Sequence, residues 1–341
     1  MAVSIKDVAI QAGVSVATVS YVLNSSRKTR LETRHKVLAA AEQLGFTINQ
    51  SARALVRGQN DLFGLLISDI RNPFFPEVTA SFQDQALLHQ MDAIVLSTNY
   101  DLQRTLICAK RLAGLRVAGV AVLTSQVDPS IVQYLRMQQI PAVYLDLGRV
   151  DVGIGNIGIP YEDGIGAAVG HLCDLGHKHI AFIGGTPGPL SSIRRKRGFQ
   201  AAMEKARLRP FALSDADFTV RGGYQACAQL LADSRPTAIV AANDLMAIGA
   251  LSHAFDRGLS VPGEISITGF DNIAFSKYTH PALTTVSVAR EEIGRLAFKA
   301  LVQMISAPDA PGGEYQTETH LVVRQSTRAL TEPGRQRRKR S

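Results

Sequence analysis

Two hydrophobic rhythms run along the chain, and one gives way to the other near residue 60. Up to about residue 45, apolar positions recur three and four apart over short stretches, the spacing of small amphipathic helices. Ser4 begins the first helix, with Ile5, Val8, Ala9 and Ala12 on one face and Asp7 where a capping box places an acid. Gly13-Val14 interrupts it. Ser15 caps a second helix from Val16 to about Leu23, with Val19, Val22 and Leu23 sharing a side. After a polar loop at 24–30, a third helix over 31–44 turns Val37, Leu38, Ala41 and Leu44 inward, and Gly45 stands at its C-cap.

From residue 62 the texture changes to short apolar runs alternating with amphipathic stretches of about 12–16 residues. Strands are predicted at 62–68, 93–97, 119–124, 142–146, 180–184, 238–242 and 265–270. Continuous apolar strands of this kind are buried on both faces, which means parallel sheets in an α/β fold. Their number over some 265 residues suits two doubly wound lobes better than one sheet. Between the two regions lies NQSARALVRG, residues 49–58, in which Leu55 and Val56 are the only bulky apolar side chains. It is long enough for about two turns of helix, too short to be stable alone. The expected division is therefore a head at 1–48, a helical linker at 49–60, a two-lobed body at 61–330 and a tail at 331–341.

Composition narrows the class. Hydrophobic residues make up 46% and charged residues 19% of 341, the balance of a globular protein. The net charge of +8 is unevenly placed. Residues 1–60 carry eight basic and three acidic side chains, and residues 331–341 carry five and one. The 270 residues between them are nearly neutral. A basic end on a neutral body points to nucleic-acid contact by that end. No apolar run approaches the roughly 18 residues of a membrane span, and the N-terminus opens on a mixed polar segment rather than an apolar export signal. Cys108, Cys173 and Cys227 lie far apart, without the spacing of a zinc site or redox pair. The expectation is a cytoplasmic, nucleoid-associated protein.

Two helices joined by a tight turn at Gly13 have the layout of a helix-turn-helix. In that motif the second helix enters the major groove, which would present Val16 and Ala17 to base edges, with Tyr21 one turn further on. Ser15 and Thr18 would meet phosphates at the positive end of the helix dipole. Spacing alone leaves open a small three-helix cap on a larger domain.

The residues themselves say more. SIKDVAIQAGVSVATVSYVLN, LETRHKVLAAAEQLGF and NQSARALVRG closely resemble the head and hinge of the LacI/GalR family of bacterial transcription regulators. The resemblance continues through LFGLLISDIRNPFFPEV, LGHKHIAFIGG, RRKRGFQAAM, PTAIVAANDLMAIGAL, VPGEISITGFDN and PALTTV, in the family's order, over about residues 3–328. It implies base-facing Val16, Ala17 and Tyr21, phosphate contacts from Ser15, Thr18, Asn24 and Thr33, and further DNA contacts from Asn49, Ala52 and Leu55. Leu55 matches the hinge leucine that the family inserts into the minor groove, where an apolar wedge unstacks one step and bends the duplex. Tyr21 departs from the Arg or His more usual there.

The resemblance also implies a body like a periplasmic sugar-binding protein, with the ligand between two α/β lobes. Ligands of doubly wound sheets sit beyond the carboxyl ends of strands. Phe74 and Phe75 follow the first strand, Ser125 the third, and Asp146 ends the fourth. Asn243 and Asp271 follow later strands, Arg195 opens a helix, and Phe218 matches a position that closes over the ligand in some relatives. Aromatic faces stack on the apolar face of a sugar or base, while Asp and Arg supply directional, charge-assisted hydrogen bonds. Plainer readings stand beside these: Phe74 and Phe75 as core, Asp244 as a helix cap, and the basic run at 194–197 as a solvated face.

GIGNIG at 153–158 matches the dinucleotide fingerprint, but no apolar strand precedes it and Pro160 interrupts the helix that should follow. It reads instead as a lobe crossover with glycines at turns. His177-Lys178-His179 has no carboxylate or cysteine cluster beside it and reads as structural. A periplasmic solute binder would share the body, but not the basic head. An α/β enzyme would need an activated nucleophile or carboxylate pair, and no such motif stands out. The expectation is a ligand-responsive repressor, a homodimer on a pseudo-palindromic operator, binding a sugar or related polar metabolite without cofactor or metal.

Overall fold

Each short N-terminal helix has its own start signal and its own buried face. Helix α1 (Ile5–Ala12) begins at Ser4, whose backbone N–H and hydroxyl both donate to Asp7 Oδ2, at 2.8 and 2.7 Å. It ends at Gly13, whose φ of 65° is the left-handed conformation that favours glycine. Helix α2 (Val16–Leu23) starts where the Ser15 hydroxyl accepts the Thr18 N–H at 3.1 Å. Helix α3 (Leu31–Gln43) closes over both, and Val8, Val19, Val22 and Val37 form the core of this unit. The computed structural model describes residues 3–23, 29–46, 61–124 and 128–330. Asn24, Asn49, Ala52, Leu55, Ser125 and the basic tail lie outside the described residues. The chain divides into two compact units, Met1–Asn60 and Asp61–Ser341.

The second unit holds two six-stranded sheets. The first contains β1 (Leu62–Ile67), β2 (Asp92–Ser97), β3 (Gly119–Leu123), β4 (Ala142–Leu145), β5 (Ile154–Gly158) and β11 (Glu314–Gln316), in the order β11-β5-β4-β3-β1-β2. Every pair in it is parallel. The second contains β6 (Ile180–Gly184), β7 (Ala212–Asp215), β8 (Ala238–Ala241), β9 (Ser266–Asp271), β10 (Thr284–Val288) and β12 (Thr319–Val322), in the order β12-β10-β9-β8-β6-β7. Only β12 runs antiparallel to its neighbour. The chain crosses between the sheets after β5, after β10 and after β11, so three connections join the lobes.

Helices α4 (Phe74–Leu88), α5 (Leu102–Gly114) and α6 (Pro129–Met137) belong to the first lobe, as does α11 (Arg290–Ser306), which packs along α4. Phe63, Phe82 and Phe298 meet edge to face there, with centroids 5.6–5.7 Å apart. The second lobe carries α7 (Tyr161–Asp174), α8 (Leu190–Lys205), α9 (Val220–Asp233) and α10 (Asp244–Asp256). Strands β1, β3, β6 and β8 are apolar and almost wholly buried, as double-sided coverage requires.

Several expectations need correction. The glycine-rich segment is a strand, β5, and not a turn: only Gly153 has a left-handed φ, at 70°. At Gly158 a Cβ would meet the tip of the Gln316 side chain of β11, which would have to turn aside. The glycines and Asn156 of β5, interspersed with Ile154 and Ile157, hid the strand. Arg195 lies in the second turn of α8 rather than opening it. The basic run is a solvated face only in part: Arg197 is exposed, but Arg195 is buried and Arg194 donates to both Glu162 oxygens at 3.0 Å and to Asp146 at 3.2 Å. His177 is buried between the Thr237 hydroxyl and the Arg328 carbonyl, at 3.0 and 3.1 Å, which accounts for it structurally.

Candidate functional site

Helix α2 offers one face to its own core and another to solvent. Val19 and Val22 are buried, whereas Val16 is 41% and Tyr21 61% exposed. Ala17 is exposed beside them, and Ser15 and Thr18 stand at the helix N-terminus with their hydroxyls 2.8 Å apart. Thr33 is half-buried in the first turn of α3. An apolar side chain and a phenol left in water on a small unit form a surface fit for contact with something else.

The body places its candidates at the carboxyl ends of strands, where the two lobes face each other. On the first lobe, Asn72 Oδ1 accepts the Phe74 N–H at 3.1 Å, and this turn starts α4. Phe74 and Phe75 meet edge to face at 5.1 Å and are both core and cleft wall. On the second lobe, Arg195 Nη2 donates to Asp271 Oδ1 at 3.3 Å, with both side chains almost wholly buried. The Arg195 guanidinium lies 4.4 Å from the Tyr161 ring centroid and 4.7 Å from that of Phe270. Its Nε–H has no hydrogen-bond partner among the described residues. Asn243 caps α10 by accepting from Met246 N–H at 2.9 Å, while its Nδ2 donates to the Phe218 carbonyl at 3.1 Å. Asp244, offered above as the cap, is instead fully buried and bonded to Thr285 and the Ile273 N–H.

Left-handed backbone recurs around the cleft: φ is 58° at Tyr100, 59° at Asp146, 62° at Phe218 and 107° at Asp271. Such conformations cost non-glycine residues energy and concentrate where geometry is needed for function. Burial pushes the Asp271 carboxyl up to about 6, against the pull of Arg195 and Arg290. Burial likewise raises Asp146, opposed by the Ile159 N–H, the Tyr161 hydroxyl and the Arg194 charge.

Phe74, Phe75, Arg195, Phe218, Asn243 and Asp271 thus converge on one cavity of about 40 Å³. Asp146 sits just behind its wall, next to Leu145, and holds Tyr161 and Arg194. Sequence reasoning missed Asn72, Tyr100, Tyr161 and Ser191, which also line the cavity. Tyr100 of the first lobe stacks on Phe218 of the second, with centroids 6.2 Å apart and planes at 15°. Among the described residues no cluster of His, Cys, Asp and Glu fits a metal ion, and no helix is long and apolar enough to cross a membrane.

Residues 4–49 match the family model described as bacterial regulatory proteins, lacI family, and residues 169–327 match that of a periplasmic binding protein-like domain. Catabolite control protein A of Priestia megaterium is 32% identical, over 96% of this chain and 100% of its own length. Among solved structures, the Lac repressor dimer bound to operator and the anti-inducer ONPF superposes with a TM-score of 0.86 at 28% identity, covering 96% of this chain and 100% of that one. The transcriptional regulator CelR–cellobiose complex superposes with a TM-score of 0.72 at 27% identity, covering 95% and 99%.

Proposed function

The chain belongs to the lacI family of bacterial regulatory proteins and is a DNA-binding transcription regulator rather than an enzyme, and from that premise we propose how its two units divide the work. The head reads operator DNA through α2. Val16, Ala17 and Tyr21 reach base edges, while Ser15, Thr18, Asn24 and Thr33 contact phosphates; Asn49, Ala52 and Leu55 carry the contact into the minor groove. The exposure of Val16 and Tyr21 supports the first part. A homodimer reading two half-sites accords with the operator-bound Lac repressor dimer. The protein works in the cytoplasm, at the nucleoid.

The effector lies between the lobes, held by Arg195 and Asp271, and is a sugar or a related polar metabolite. One observation carries this reading: a buried arginine–aspartate pair, walled by aromatic rings, with the arginine Nε–H still unpaired among the described residues. Such a group costs free energy unless a partner accepts from it, and a sugar hydroxyl does so while its apolar face stacks on Phe218 or Phe75. The cellobiose complex of CelR supports the ligand class. A cavity of about 40 Å³ is far below the roughly 300–1,000 Å³ of ordinary ligand pockets, so occupation requires the walls to part.

Thermal unfolding of the full chain against pentoses, hexoses, disaccharides and sugar acids tests the assignment. A sugar that stabilises the wild type and not Asp271→Asn supports it. Equal stabilisation of both proteins places the effector elsewhere. For the linker, Leu55→Ala weakens operator binding and straightens the DNA; unchanged bending removes Leu55 as the wedge.

A further inference from the structure

Arg290 is the first residue of α11, immediately beyond the second crossover, and its side chain reaches both walls of the cleft. Its Nε donates to Glu77 Oε2 at 2.7 Å. Glu77 lies in the first turn of α4, the helix whose first residues are Phe74 and Phe75. Its Nη1 donates to the backbone carbonyl of Asp271, on the other lobe. The Arg290 side chain is 11% and that of Glu77 34% exposed, so the pair is partly buried and not freely solvated.

Asp271 needs such support. Its φ of 107° is a strained backbone for a residue with a Cβ, and from that conformation its carboxylate meets Arg195. The two residues that follow are held by separate bonds: the Asn272 N–H donates to the Thr285 hydroxyl at 3.3 Å, and the Ile273 N–H to Asp244 Oδ2 at 2.8 Å. Nothing in those bonds reaches the first lobe. Arg290 alone of these groups connects the strained turn to α4.

We propose that Arg290 is a positioning residue for effector recognition: it fixes the backbone of Asp271 to Glu77, so that the polar wall of one lobe and the aromatic wall of the other are set by a single side chain. This rests on the reading of the cleft as the effector site, but its structural half stands without it. When the lobes move, the Arg290 bonds to Glu77 and to Asp271 cannot both be kept at their present lengths, so lobe position and Asp271 geometry are linked.

Hydrogen–deuterium exchange on the full-length protein, with no sugar present, tests the structural half. Arg290→Gln speeds exchange at residues 271–273 by about ten-fold or more, the loss expected for one charge-assisted hydrogen bond, while β6 and β8 stay protected. Arg290→Lys restores part of that protection, and Glu77→Gln gives a smaller increase in the same segment. Unchanged exchange at 271–273 in Arg290→Gln overturns the proposal, as does a uniform rise across the body, which marks general destabilisation. Calorimetric titration with cellobiose and D-ribose then adds the functional half. If either binds the wild type, Arg290→Gln weakens it and Arg290→Lys recovers it; equal affinity in Arg290→Gln rejects a role in recognition. If neither binds, cellobiose and D-ribose are excluded as effectors, while the exchange result still decides for or against Arg290.

Discussion

As proposed binding sites, the exposed face of α2 and the interior of the cleft are opposite solutions to the problem of binding. Val16 and Tyr21 are 41% and 61% exposed on a short, regular, capped helix, so recognition there needs no rearrangement of the unit itself. Arg195 and Asp271 are 7% and 3% exposed and joined to each other, with Asp271 on strained backbone, beside a cavity too small for a sugar. One site waits ready-made in solvent. The other must be opened, which is what allows occupancy to change the arrangement of the body and hence to be sensed elsewhere.

The largest effect separates the two units outright. A protein lacking residues 1–60 loses specific operator binding by about 10³-fold or more, the usual margin of specific over non-specific affinity. The same protein keeps its thermal response to an effector sugar. Fluorescence anisotropy with an operator duplex, beside thermal unfolding with the sugar, reads both. Retained specific binding would remove the head from its assigned role.

Next comes the buried pair. Arg195→Ala removes the only side-chain partner described for the Asp271 carboxylate, leaving it the more distant pull of Arg290, and lowers the stability of the body by about 3 kcal/mol in urea unfolding. Operator binding at temperatures well below unfolding changes little. A loss below 1 kcal/mol would mean that water reaches the pair and that the cleft is not the closed interior described here.

A pH series sharpens the same point. Asp271 is raised to about 6 when folded, against 3.8 as its ordinary value, so the folded chain holds a proton that the unfolded chain releases over that range. Its contribution to stability is present at low pH and is lost as pH rises through about 6. The melting temperature of the wild type therefore falls relative to Asp271→Asn between pH 4.5 and 7.5. A constant difference across that range would show that the carboxyl is not buried as described.

How legible these regions were in the sequence follows the same contrast. Helices α1 and α2 carry their capping residues and periodicity within some twenty positions, so Ser4, Gly13 and Ser15 could be placed directly. In the body, apolar runs such as β1 and β3 were equally plain. Strand β5 was not, because Gly155 and Asn156 stand between its two core isoleucines and break the apolar run. Strands β7 and β11 escaped because they are short, edge-lying and half exposed. Phe74 and Phe75 announced themselves as adjacent aromatics in an Asn-Pro turn. Tyr100 and Tyr161 did not: Tyr100 lies in a polar connection and reaches the cavity only because the lobes face each other, and Tyr161 opens α7 directly after Pro160 and meets Arg195 only through the fold of its own lobe. Arg194 and Asp244 were misjudged because their partners, Glu162 and Thr285, are more than thirty residues away.

The smallest expected effect lies on the head. Tyr21→Ala changes base preference at one position of each half-site, by about 1–3 kcal/mol of discrimination, and leaves the melting of the body unmoved. Competition binding with operators varied one base pair at a time measures it. Uniform weakening across all variants would make Tyr21 a backbone contact and not a reader of sequence.

The central claim is that the cleft pair governs the response of the head without taking part in DNA binding. Operator affinity of the wild type and of Asp271→Asn, measured with and without a sugar that stabilises the wild type, tests it most directly. The wild type shifts by about 5- to 150-fold on saturation, the usual range of allosteric coupling. Asp271→Asn binds operator as the sugar-free wild type does and shows no shift at the same sugar concentration. A full response from Asp271→Asn at that concentration would contradict the account.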